Sequence, residues 1–247
     1  MDCDFFIGGV MRAVLFIHGL SAKEVDNRYF IDRMKKFRNI DIYSFTLPGH
    51  ENDKVTKVRY SSWIEKSEEE LNKILKKYKN VTIVAHSMGT IIATNLAARY
   101  KKVNKLVLIS PAFMAGNIKQ NKEDFKNIIF KHVDEELGTG FEGFLEKFIT
   151  VPKSVWFQYR RMARVNMSNI EKVTCPTLIM YGENDNLVSK KAIDFVYNNL
   201  TCKKDLVIIK RVRHQVFKSY KKERITKYIY RFITFNLLYK LGKSKTI

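Results

Sequence analysis

The chain has 247 residues, enough for one sizeable hydrophobic core in a single α/β domain. Its composition is ordinary except in charge: 45 basic residues against 25 acidic ones give +20, a field that favours nucleic acid, phospholipid surfaces or acidic substrates. The lysines come as scattered pairs, among them Lys35 and Lys36, Lys76 and Lys77, and Lys221 and Lys222. No basic stripe with interleaved aromatics stands out, so no nucleic acid is expected, whereas peripheral contact with anionic membranes stays open.

In chain order, Cys3 to Ile7, Gly8 and Gly9, and Val10 to Ile17 read as two short strands joined by a glycine turn. The run at the N-terminus carries Asp2 and Asp4 and breaks at the glycines, which is not the pattern of a secretory signal. His18, Gly19, Leu20 and Ser21 follow, then a helix from Glu24 to Phe37 and a strand from Ile40 to Phe45 that ends in Pro48, Gly49 and His50. Tyr60 to Tyr78 is amphipathic, with Trp63, Ile64, Leu71, Ile74, Leu75 and Tyr78 as its inward face.

The chain then changes period abruptly. Val81 to Val84 is β-prone, small side chains cluster around Ser87 in a tight turn, and an Ala- and Ile-rich helical stretch runs on to Ala98. A serine between strand and helix, with small residues two before and two after it, meets the requirements of a nucleophile elbow. Ala85, Ser87 and Gly89 fit, with alanine where glycine is usual.

Val103 to Ile109 is a further strand, closed by Ser110 and Pro111, and the order so far is that of parallel βαβ units. From about residue 112 to 173 the alternation stops and aromatic residues recur at helical intervals, which predicts a small helical insertion that roofs a pocket. Alternation resumes with a strand from Pro176 to Tyr181, a loop from Gly182 to Val188, and a helix from Lys190 to Asn199. A last strand from Asp205 to Lys210 leads to His214, and a helix from about Phe217 to Lys240 ends the sequence.

Cys3, Cys175 and Cys202 are odd in number, far apart in the sequence and without metal-ligand spacing. A cytoplasmic protein with no disulfide framework, metal or other cofactor is the expectation. No apolar run reaches the length that spans a bilayer.

A serine hydroxyl is a poor nucleophile at neutral pH and needs a base, which in turn needs an orienting group. Of five histidines, His214 alone follows the last predicted strand, in a loop that reaches the C-terminal edge of the sheet. Glu183 and Asp185 both follow the strand ending at Tyr181. Asp185 lies deeper in the loop, ahead of Leu187 and Val188, and is the better candidate.

With these motifs in the order serine, acid, histidine, the chain resembles the α/β-hydrolase superfamily, and most closely small bacterial carboxylesterases and monoacylglycerol lipases. The likeness covers essentially the whole chain. It implies an α/β-hydrolase fold: a mostly parallel central sheet with helices on both faces and a helical cap over residues 112–173. It also implies Ser87 as nucleophile, His214 as base, Asp185 as the residue holding the imidazole, and the N–H groups of Leu20 and Met88 as an oxyanion hole. His18, Gly19, His86, Phe141, Phe144, Phe148 and Trp156 are candidate substrate contacts, the aromatics forming an acyl pocket. The expected activity is hydrolysis of short- to medium-chain or monoacylglycerol-like esters through an acyl-enzyme. An acyltransferase or thioesterase with the same triad, or a non-catalytic binding protein on this scaffold, are the alternatives.

Overall fold

The computed structural model of the protein describes residues 11–52, 54–113, 151–235 and 245–247. Seven parallel strands form one sheet: β1 (Arg12–Ile17), β2 (Ile40–Ser44), β3 (Val81–His86), β4 (Val103–Ile109), β5 (Thr177–Gly182), β6 (Lys204–Ile209) and β7 (Lys245–Thr246), in the spatial order β2-β1-β3-β4-β5-β6-β7. The sheet grows outward from β1, first to β2 on one side and then to β3 on the other. That reversal makes the carboxyl ends of β1 and β3 a topological switch point, the place where open parallel sheets hold their ligands.

The strands read as near-continuous apolar runs because both faces are covered. In β1, Ala13, Leu15 and Ile17 join a core with Trp63, Leu71 and Ile74 of α2 (Tyr60–Leu75), Ile91 and Leu96 of α3 (Gly89–Arg99), Val155 and Met162 of α4 (Lys153–Asn166), and Ile193 and Val196 of α5 (Lys190–Asn199). Val14 and Phe16 point the other way. They pack with Phe30, Ile31 and Met34 of α1 (Arg28–Lys35) and with Ile225, Ile229 and Phe232 of α6 (Lys222–Thr234).

Several predicted elements take another form. The helix expected over 24–37 is a 3-10 turn, Glu24–Asn27, followed by α1, because Asn27 leaves helical backbone angles (φ −111°, ψ 17°). The final helix begins later than expected: after a 3-10 turn at Val216–Lys218, Ser219 is extended and its hydroxyl donates to Val216 O at 2.7 Å. That hydroxyl competes with helical bonding, and α6 starts only at Lys222. The strand leading to His214 is not the last, since β7 pairs with it. Cys175 and Cys202, distant in sequence, lie close in space; both are free, and Cys202 Sγ reaches Thr177 Oγ1 at 3.5 Å. The first strand of the predicted opening pair and much of the predicted insertion lie outside the described residues. Among the described residues, no helix is long and apolar enough to cross a membrane.

Candidate active site

Ser87 follows β3 at φ +54°, in the left-handed region that residues with a Cβ seldom occupy. Its N–H donates to Ile109 O at 2.9 Å, and its carbonyl accepts from Thr90 N (3.0 Å) and Thr90 Oγ1 (2.6 Å). These bonds hold the unusual backbone, and the reversal leaves the Ser87 side chain partly exposed between buried neighbours. Two glycines make room for it. A Cβ on Gly89 would stand 2.5 Å from Ile17 O and 2.6 Å from His18 O, and one on Gly19 would stand 2.9 Å from Ser87 Cβ. The loop after β1 therefore lies directly against the serine. Ala85, in the position where glycine is usual, is fully buried between Ile17 and Leu108 and is accommodated there.

Across the same edge, His214 Nδ1 lies 2.9 and 3.0 Å from the two carboxylate oxygens of Asp185. Asp185 Oδ1 also accepts the N–H groups of Leu187 (2.9 Å) and Val188 (3.0 Å), and its side chain is fully buried. Burial opposes the ionised form, but attraction to His214 and these hydrogen bonds outweigh it and hold the carboxyl below its usual range. The buried Ser110 hydroxyl, on a residue at φ +49° after β4, adds to the lowering from beyond proper hydrogen-bond geometry. An ionised Asp185 accepts only, so Nδ1 of the imidazole is its donor and Nε2 faces away. Glu183, the other candidate acid, is occupied: Oε2 accepts Arg211 N at 3.0 Å and ties the β5 and β6 loops together.

His86 and His18 both bond to backbone groups of the loops around Ser87. His86 Nε2 donates to the backbone carbonyl of His214 at 3.0 Å, and its ring lies 4.7 Å from the His214 ring. Burial, followed by repulsion from His214, pushes its pKa down to about 3. His18 Nδ1 donates to Gly19 O at 2.8 Å and Nε2 accepts Leu47 N at 2.8 Å, so both nitrogens are used in joining the loops after β1 and β2. Its pKa is also pushed down to about 3, by burial and then by His50. His50 donates to Pro48 O (3.2 Å), which also accepts Trp63 Nε1 (2.9 Å), and burial lowers its pKa.

The N–H groups of Leu20 and Met88 donate to no other described residue. Met88 immediately precedes α3, so its N–H shares the positive end of the helix dipole. Trp156 is partly buried, edge-on to Tyr159 at 5.8 Å, whose hydroxyl donates to Ala112 O at 2.5 Å. Phe141, Phe144 and Phe148 lie outside the described residues. Among the described residues, no group of His, Cys, Asp or Glu is arranged to hold a metal ion.

A family model described as "Alpha/beta hydrolase family" matches residues 14–216. Comparison with curated proteins returned no match. Solved structures of similar fold include one reported with two metagenome-derived lipolytic enzymes, LipS and LipT (TM-score 0.72, 16% identity, 91% of this chain and 94% of that one). Another is the monoacylglycerol lipase of Paleococcus ferrophilus (0.71, 15%, 92% and 96%). A third is a soluble variant of the Saccharomyces cerevisiae monoglyceride lipase with a substrate analogue (0.68, 18%, 92% and 87%). At such identities the likeness is one of fold. The family match spans most of the sequence, including the turn at Ser87, the Asp185 loop and His214, and the chain belongs to the alpha/beta hydrolase family.

Proposed function

We propose that this hydrolase cleaves carboxylic esters, short- to medium-chain or monoacylglycerol-like, through an acyl-enzyme on Ser87. The observation that carries the reading is the buried His214–Asp185 pair on the sheet edge that also bears Ser87 at positive φ. Ser87 Oγ attacks the acyl carbonyl and His214 Nε2 takes its proton, while Asp185 holds the Nδ1 tautomer and stabilises the imidazolium. The oxyanion that forms accepts the N–H groups of Leu20 and Met88; one such donor contributes about 3 kcal/mol to the barrier reduction. Collapse expels the alcohol with the proton from His214, and water repeats the cycle on the acyl-enzyme. His86 and His18 position this machinery by fixing the His214 backbone and the loop that carries Leu20.

A fluorophosphonate probe tests the assignment: it labels the wild-type chain and not Ser87→Ala. The p-nitrophenyl ester series gives rising kcat/KM from acetyl to medium acyl chains. Labelling that survives Ser87→Ala, or that fails in the folded wild type, refutes the nucleophile. Preference for acyl-CoA over oxygen esters moves the reading to a thioesterase, and alcohol-dependent acyl transfer moves it to an acyltransferase.

A further inference from the structure

The two faces of α4 differ in kind. Val155, Tyr159, Met162, Ala163 and Asn166 are buried, and Asn166 Oδ1 accepts Asn95 Nδ2 of α3 at 2.7 Å. On the outer face, Lys153, Phe157, Arg161 and Val165 follow one another at i, i+4 intervals and so form one row. Phe157 exposes 59% of its surface and Val165 49%. The helix has no acidic residue.

Some cations elsewhere on the surface are ion-paired. On α2, Lys66 and Lys73 are each paired with Glu69 and Glu70, Arg99 is paired with Glu68, and Lys190 with Asp194. Arg161 lies over the Tyr60 ring, 5.8 Å from its centroid, and among the described residues none of Arg161, Arg164 and Lys153 has an ion-pair partner. Lys54, Lys57 and Arg59, exposed ahead of α2, extend the charge, and Tyr60 N donates to Gln158 Oε1 of α4 at 3.2 Å. Cations and exposed bulky apolar side chains thus alternate along one row of α4.

We propose that the outer face of α4 docks the protein on an anionic phospholipid surface. Phe157 and Val165 enter the headgroup boundary while Lys153, Arg161 and Arg164 meet lipid phosphates. The row has two exposed apolar side chains, far less than the roughly 1,000 Å² that a stable protein interface buries.

The test is co-sedimentation of the full chain with vesicles of phosphatidylcholine alone or mixed with phosphatidylglycerol, at low and physiological ionic strength. Binding is read without turnover, so its failure and that of the hydrolytic reading are distinguishable. The wild type pellets with the anionic vesicles only, and less so with added salt. Arg161→Gln with Arg164→Gln weakens binding about 25-fold, near fivefold per cation, and Phe157→Ala about tenfold. The matched pair Lys66→Gln with Lys73→Gln, which removes the same charge from α2, leaves binding within about twofold, with helix content by circular dichroism checked throughout. Equal pelleting with neutral vesicles, or equal losses in the two double variants, overturns the proposal. So does displacement of the chain from the vesicles by an oligonucleotide with no loss of that oligonucleotide binding in Phe157→Ala.

Discussion

Acidification has a calculable effect on this fold because two fully buried imidazoles must stay neutral in it. His18 and His86 ionise near 6.5 when exposed and near 3 in the folded chain. Each folded-state pKa lies below the unfolded one, so the unfolded chain binds more protons between these values and stability rises with pH. Moving from about pH 7.5 to about pH 5 crosses 1.5 units of that window, which costs about 2 kcal/mol per histidine at about 1.4 kcal/mol per unit. Together they remove about 4 kcal/mol, a large part of the 5 to 15 kcal/mol typical of a domain. His50, also lowered by burial, acts in the same direction. Asp185 does not confuse the window: its lowered pKa contributes stability that is lost only below the ordinary carboxylate value of 3.8. Urea unfolding followed by circular dichroism across this range measures the effect, and His86→Gln should remove about half of the slope that His18 and His86 produce. An unfolding free energy that stays flat from neutrality to about pH 5 refutes the reasoning.

Two further outcomes follow from the candidate site. Asp185→Asn lowers kcat roughly 10³- to 10⁴-fold by losing control of the His214 tautomer. Glu183→Gln, whose oxygen serves a backbone N–H, stays within about threefold, and steady-state ester hydrolysis separates the two. Gly19→Ala puts a methyl 2.9 Å from Ser87 Cβ. We expect a fall in kcat/KM of about 10²-fold with little change in thermal midpoint, measured by hydrolysis and calorimetry on one preparation.

Much of this was legible because it is local. Strands buried on both faces announce themselves as apolar runs, and the shift from Val81–His86 to the small, helix-forming residues after Ser87 marks a change of period at one residue. The Asp185 loop and His214 were found by their position after strands. What the sequence hid depends on contacts across more than a hundred residues, such as His86 donating to His214, or on backbone angles, such as the positive φ of Ser110. β7 was invisible because two residues carry no periodicity; it is a strand only because β6 offers a free edge. The bonds of His18 to Gly19 O and from Leu47 N are likewise hidden, because sequence gives a histidine's place and not the direction of its nitrogens.

The bond from Tyr159 to Ala112 has a consequence for how such a molecule changes over time. It pins the point where the chain leaves β4 to the helix by which it comes back, so whatever polypeptide lies between starts and finishes beside the same rim. For a stretch so anchored, doubling its length adds only about 0.6 kcal/mol of loop-closure entropy. New sequence can be spliced there while the seven strands and the serine turn keep their places.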